Sequence, residues 1–186
     1  MSEALTLALV GPHFRERGNS MTLVERMRSG QSGALQEFIE ETRERAYGLA
    51  FSILQDPHQC QDALQDAYLT VLEKIHQLRD ESRLRSWFSQ ILVNRCRQQL
   101  RRREWEEVPE TAEAPICLAE KLDVQAALAQ LTASERTILT LREVMELSYL
   151  EIAQVLSIPL GTVRSRLANA RARLLQKLSH EGRAAR

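Results

Sequence analysis

Two short helical patterns meet at Ser157-Ile158-Pro159, and this junction constrains the chain more than any other stretch. Ser148 followed by Glu151 has capping-box spacing, in which each side chain satisfies the other's backbone N–H, so a helix starts there. Leu150, Ile152, Ala153, Val155 and Leu156 give that helix an apolar face, and it ends after two turns. Pro159 suits the first position of a new helix, where a missing N–H costs nothing. Val163, Leu167, Ala170 and Leu174 then recur at three- and four-residue steps and predict one buried stripe. Arg164, Ser165, Ala168, Asn169 and Arg171 fall off that stripe. The pattern predicts a helix-turn-helix whose second helix offers guanidinium and small polar groups to a DNA major groove. A helical hairpin with a solvated basic face has the same local pattern, so the rest of the chain has to decide.

The chain has 186 residues, room for one ordinary domain or two small ones. Aromatics at 5%, with seven glycines and five prolines, argue against a sandwich or barrel. Runs of Leu, Ala, Glu, Gln and Arg favour helix. The expected fold is all-α: two small helical domains joined by an acidic linker, the second a helix-turn-helix. Basic and acidic residues balance at 25 each, but their distribution is uneven. Arg95, Arg97, Arg101, Arg102 and Arg103 stand together with no acid among them. Residues 104–120 then hold Glu104, Glu106, Glu107, Glu110, Glu113 and Glu120 with no base. From Arg164 onward seven basic residues face only Glu181. Two basic patches flanking an acidic strip outline two DNA-facing modules and a tether that avoids DNA.

Cys60, Cys96 and Cys117 are odd in number and lack C-x-x-C spacing, which points to a reducing cytosol rather than a disulfide framework. His58 with Cys60 is the nearest approach to a metal-ligand cluster and is too small for one. No apolar run reaches the ~18–20 residues of a membrane span. Leu5–Val10 is short and has Glu3 where a signal peptide wants basic residues. A cytoplasmic protein without cofactor or metal is expected.

In chain order, residues 1–20 read as a disordered tail, and Met21 resembles a natural start. Leu23–Met27 predicts a short helix, broken by Ser29-Gly30-Gln31-Ser32-Gly33. Leu35, Phe38, Ile39, Ala46, Leu49, Ala50 and Ile53 then trace a helical stripe. Asp56-Pro57 ends that helix and opens the next, Asp as cap and Pro in the first turn. There Leu64, Tyr68, Val71, Leu72 and Ile75 form the predicted buried face, with Asp62, Gln65, Asp66 and Glu73 on other faces. A third long helix starts near Ser82 and carries Trp87, Phe88, Ile91, Leu92, Cys96 and Leu100. Residues 21–103 thus form a first module and 104–120 the linker, which spans at most ~60 Å when extended. Leu118, Leu122, Ala126 and Ala129 predict one helix of the second module, 121–179. Thr132-Ala133-Ser134-Glu135 is a capping box opening the helix of Ile138, Leu139, Leu141 and Met145. Residues 180–186 read as a tail.

Three motifs carry a family resemblance: Asp62-Ala63-Leu64-Gln65-Asp66-Ala67-Tyr68, Ser86-Trp87-Phe88-Ser89-Gln90-Ile91-Leu92-Val93-Asn94, and Leu160-Gly161-Thr162-Val163-Arg164-Ser165-Arg166-Leu167. In this order and spacing the chain, from about Met21 to Leu178, resembles a bacterial RNA polymerase sigma factor of the extracytoplasmic-function (ECF) group of the sigma-70 family.

The resemblance implies a protein that binds core RNA polymerase, directs it to promoter DNA and opens the duplex. Asp62, Gln65 and Asp66 would face the polymerase clamp. The loop of Leu78, Arg79, Asp80 and Glu81, with Asn94, would take the −10 element, where a base is flipped from the non-template strand. Relatives often carry an aromatic where Leu78 stands, and leucine offers only an apolar wedge. Arg95, Arg97, Arg101, Arg102 and Arg103 would follow upstream phosphates. Trp87 reads as core rather than a stacking platform. The acidic linker would thread near the polymerase active centre. Thr162, Arg164, Ser165, Arg166, Ala168, Asn169 and Arg171 would take the −35 element, with Ala168 and Asn169 tuning promoter choice. An anti-sigma factor is the implied inhibitor. The competing reading is a stand-alone helix-turn-helix regulator, which has no use for the first module. An enzyme lacks support: there is no Gly-rich phosphate loop, nucleophile elbow or H-E-x-x-H.

Overall fold

The computed structural model describes residues 21–106 and 127–184, and every regular element in these stretches is helical. The expected N-terminal tail and most of the linker lie outside them, as do Leu118, Leu122, Ala126 and Cys117.

Helix α1 (Leu23–Arg28) opens with a capping box of Thr22 and Glu25 and buries Leu23, Val24 and Met27. Gly30 and Gly33, at φ +69° and +85°, turn the chain where other residues would be strained. Helix α2 (Ala34–Leu54) buries Phe38, Ala46, Leu49 and Ala50. It ends on Gln55 in the left-handed region. Asp56 caps helix α3 (Pro57–Lys74) by accepting from the His58 and Gln59 amides, with Pro57 in the first turn. Two single 3-10 turns, Ile75–Gln77 and Glu81–Arg83, frame a loop before helix α4 (Leu84–Glu106). Helix α4 runs through 104–106, which the sequence assigned to the linker. Arg and Glu sustain a helix there, and no breaker comes before Pro109.

In the second group, Ala127 and Leu131 are buried while Ala129 is exposed, correcting the expected stripe. Helix α5 (Ala133–Glu143) and helix α6 (Tyr149–Leu156) each begin with the expected capping box, Thr132/Glu135 and Ser148/Glu151. Ser157 closes α6 at φ +57°. Helix α7 (Leu160–Ala184) starts one residue later than expected, because the Pro159 carbonyl accepts the first helical bond, from Val163 N–H. Helix α7 extends beyond residue 179, so part of the expected C-terminal tail is helical.

Phe38, Tyr68 and Phe88 form the aromatic centre of the first group. Phe38 meets Phe88 edge-on at 5.1 Å and Phe88 stacks on Tyr68 at 5.3 Å. Trp87 packs half-buried against this core. The two groups are not held apart: α2 lies along α5, α4 lies along α6, and one apolar core runs through both. Polar contacts cross the junction. Arg85 and Arg45 meet Glu146 at 2.7 and 3.7 Å, Arg136 Nε donates to the Ser52 carbonyl, and Arg97 Nη2 donates to the Leu156 carbonyl. A cavity of about 210 Å³ remains there, lined by Ile53, Val93, Arg97, Leu156 and Arg166 among others.

Candidate functional site

On α3, Asp62, Gln65 and Asp66 are exposed along one face, while Ala63, Leu64, Ala67 and Tyr68 turn to the core. The 3.6-residue repeat produces this split, because positions 62, 65, 66 and 69 share a side. Leu69 and Leu72 are each 51% exposed beside the carboxylates. Leu72 was expected in the core, but no helix among the described residues covers its side of α3. The outward surface is thus a carboxylate-and-amide patch around two leucines, suited to a basic partner with an apolar contact at its centre.

The loop between α3 and α4 is fixed from within. Leu78 is buried at 5%, so its side chain is a core anchor and not the outward wedge expected of it. Its amide donates to the Ile75 carbonyl. Arg79 and Asp80 are exposed. Asp80 accepts from the Ser82 amide at 3.0 Å and its hydroxyl at 2.6 Å, and pairs with Arg83 at 3.3 Å. The Ser82 bonds, aided by Arg83, hold the Asp80 carboxyl below its usual range.

On α4, Asn94 faces solvent, away from Phe88, Leu92 and Cys96. Arg95 is committed to the protein, donating to the Thr70 hydroxyl at 2.8 Å and to Gln98 at 3.0 Å. Arg97 is likewise turned to the junction. Arg101 and Arg102 are exposed on the last turns, and Arg103 continues the helix with its side chain outside the described residues. The basic run thus divides: its first half braces the fold and its second half faces outward.

On α7, Val163, Leu167, Ala170 and Leu174 are all buried. Arg164, Ser165, Arg166, Ala168 and Asn169 are exposed, and Thr162 is half-buried at the first turn. The Ser165 hydroxyl donates to the Thr162 carbonyl. Arg166 leans to Ser134 at 3.5 Å. Arg171 is tied to Glu143 at 2.7 Å and to the Tyr149 hydroxyl at 3.5 Å. The Glu143 bond, reinforced by Tyr149 against partial burial, raises its pKa. Arg173 pairs with Glu135 at 2.9 Å. Arg164 and Ala168 lie one helical turn apart with Asn169 beside them, an exposed strip of one guanidinium and small groups. Leu150, expected in the α6 core, is 60% exposed, and Ile152 and Val155 fill that core.

Among the described residues no group of His, Cys, Asp and Glu could hold a metal ion. His58 is exposed while Cys60 is buried, so they make no common site. Burial pushes the Cys60 and Cys96 thiols up to about 12, which keeps both protonated and unreactive. No helix among the described residues is long and apolar enough to cross a membrane.

The sequence reading missed Leu69, whose exposure follows from its spacing of three from Asp66. It also missed Glu146 and Arg28. Glu146 stands at φ +55° between α5 and α6, and no sequence signal marked it.

Residues 38–106 match the profile of Sigma-70 region 2, and 121–174 that of Sigma-70, region 4, so α2–α4 and α5–α7 define a sigma-70-type protein. The chain is 30% identical over 156 residues to an RNA polymerase sigma-E factor of Streptomyces coelicolor, covering 78% of this chain and 88% of that protein. It is 29% identical over 171 residues to the ECF RNA polymerase sigma factor SigM of Mycobacterium tuberculosis, covering 89% of this chain and 87% of that one. Among solved structures, the sigma factor RpoE from Bartonella quintana, in complex with the anti-sigma factor NepR, shares the fold. Its TM-score is 0.69 at 23% identity, covering 79% of this chain and 98% of that one. The chain belongs to the sigma-70 family, in its ECF group. It is an alternative sigma factor that directs core RNA polymerase in promoter-specific transcription initiation. A stand-alone helix-turn-helix regulator accounts for region 4 and leaves region 2 unexplained.

Proposed function

We propose that three outward surfaces divide the work of initiation. Asp62, Gln65 and Asp66, with Leu69 and Leu72 between and beside them, dock on core polymerase. The loop tip at Arg79 and Asp80, with Asn94 and Arg101–Arg103, takes the −10 strand. Thr162, Arg164, Ser165, Arg166, Ala168 and Asn169 take the −35 duplex, Arg164 donating bidentately to guanine or phosphate and Asn169 to adenine. Arg171 reaches a phosphate only by leaving Glu143. Residues 21–103 and 121–179 act as separate modules on the promoter, tethered by the acidic linker. The chain supplies recognition, the polymerase supplies the chemistry, and both work in the cytoplasm.

The observation that carries this reading is the carboxylate patch of α3, exposed while its opposite side holds the core. Charge reversal by Asp62→Arg with Asp66→Arg tests it. Capture of core polymerase should fall by more than tenfold with the melting temperature unchanged, since neither side chain is buried. Undiminished capture overturns the assignment. An anti-sigma factor is the expected inhibitor, by analogy with the Bartonella quintana sigma factor held by its anti-sigma factor NepR. Such an inhibitor should compete with core polymerase for the full-length chain, and binding of both at once would refute this.

A further inference from the structure

Arg28 ends α1, upstream of both family matches, and its guanidinium reaches across to the loop between α3 and α4. Nη2 donates to the Leu78 carbonyl, Nε to the Ile75 carbonyl at 3.5 Å, and Nη1 meets the Glu81 carboxylate at 3.5 Å. Three groups at the two ends of one loop converge on one planar cation, whose five donors can serve them together. The base of this clamp is itself fixed. Leu23, Val24 and Met27 are buried, the Thr22/Glu25 box caps α1, and Arg26 pairs with Glu37 of α2 at 2.7 Å. From the core side Leu78 anchors the same loop.

The loop is therefore gripped twice, by a buried leucine inside and a guanidinium outside, and the tip at Arg79 and Asp80 projects. We infer that Arg28 is a positioning residue for −10 recognition: it sets the backbone from which the tip meets the unpaired strand. A flipped base needs its pocket already formed, because ordering a loose loop would add to the cost of unstacking. Lysine replaces this clamp only in part, since an ammonium keeps the charge but is a point donor without the planar fork.

The inference rests on the −10 assignment of this loop, and the experiment separates the two. Full-length protein with core polymerase is scored for core capture, for protection of the −35 duplex, and for permanganate reactivity of −10 thymines. The last is repeated on a panel of single-base −10 substitutions. Arg28→Ala should leave core capture and −35 protection intact, while melting falls on the order of ten- to a hundredfold, as loss of charge-assisted hydrogen bonds implies. Discrimination among the −10 panel should flatten. Arg28→Lys should recover part of the melting, and Glu81→Gln, which spares both carbonyl bonds, should lose only severalfold. Wild-type melting and an unchanged −10 ranking in Arg28→Ala would overturn the inference, as would an equal loss of core capture in Arg28→Ala and Arg28→Lys. If Arg28→Ala does not fold, Glu81→Gln decides, and an unaltered −10 ranking there counts against the clamp. Arg79→Ala with Ser82→Ala reports on the loop itself. If that pair leaves the −10 ranking unchanged, the loop assignment fails and the inference with it. If the ranking shifts there but not in Arg28→Ala, the clamp alone fails.

Discussion

The −10 and −35 elements lie about 25 base pairs apart, roughly 85 Å of duplex at ~3.4 Å per pair. Here α5 and α6 lie against α2 and α4, so the two surfaces proposed to read them are packed together. On the proposed assignment, engaging both elements requires the helix groups to part, and the stability of the closed packing would be subtracted from promoter affinity. Glu146→Lys tests this. The Glu146 carboxylate lies 2.7 Å from Arg85 and 3.7 Å from Arg45, with side-chain exposures of 43%, 42% and 20% respectively. Such partly exposed pairs contribute about 0.2–1 kcal/mol each. Reversal removes two attractions and adds two repulsions of similar size, about 2 kcal/mol in all, or about thirtyfold in the open-to-closed ratio. Backbone strain at φ +55° cancels, because Glu and Lys are equally disfavoured there. The assay is energy transfer between dyes on cysteines placed at Gln36 and Gln176, both exposed, with Cys117 replaced by serine. Cys60 and Cys96 are buried and escape labelling. Transfer should fall in Glu146→Lys and recover when Arg85→Glu is added, and core-dependent promoter binding should tighten. Equal transfer in wild type and Glu146→Lys at low salt would refute the reasoning.

Phe88→Ala empties a site 1% exposed between Phe38 and Tyr68 and should cost about 3–5 kcal/mol in denaturant unfolding. A loss under 1 kcal/mol would show that the aromatic centre is not the core of the first group. Arg164→Ala should lower initiation at −35-dependent promoters about ten- to a hundredfold with core capture unchanged, the value of one bidentate base contact. Equal loss of core capture would show that α7 was misassigned. Glu135 has its pKa lowered by the Thr132 amide bond. Glu151 has its pKa lowered although burial, the largest influence, raises it, because the Ser148 bonds and smaller ones outweigh burial. A carboxylate depressed by folding stabilises fully above its unfolded value near 4.5 and loses that contribution as pH falls through its folded value. Acid unfolding should therefore steepen below pH 4.5, and Glu135→Gln with Glu151→Gln should flatten it.

What the sequence determined by itself was whatever partners lie within one helical turn. The Thr132/Glu135 and Ser148/Glu151 boxes, the Asp56-Pro57 start, the buried stripe of α7 and the acid-and-glutamine face of α3 all rest on residues no more than four positions apart. Such features form in any chain with those residues at those spacings, because helix geometry alone brings them together. Tertiary structure decided which apolar residues found cover. Leu72 and Leu150 stayed exposed because no helix among the described residues lies over them, whereas Leu78 turned inward. It also decided which arginines are spent on the fold and which stay on the outward face. Arg95 bonds Thr70, Arg171 bonds Glu143, and Arg28 bonds the Leu78 carbonyl, each across twenty-five residues or more. Arginine on an outward face reads the same in sequence whether it awaits a phosphate or holds a carboxylate. Only the arrival of a distant acceptor separates the two roles, and that arrival is set by how the helices pack.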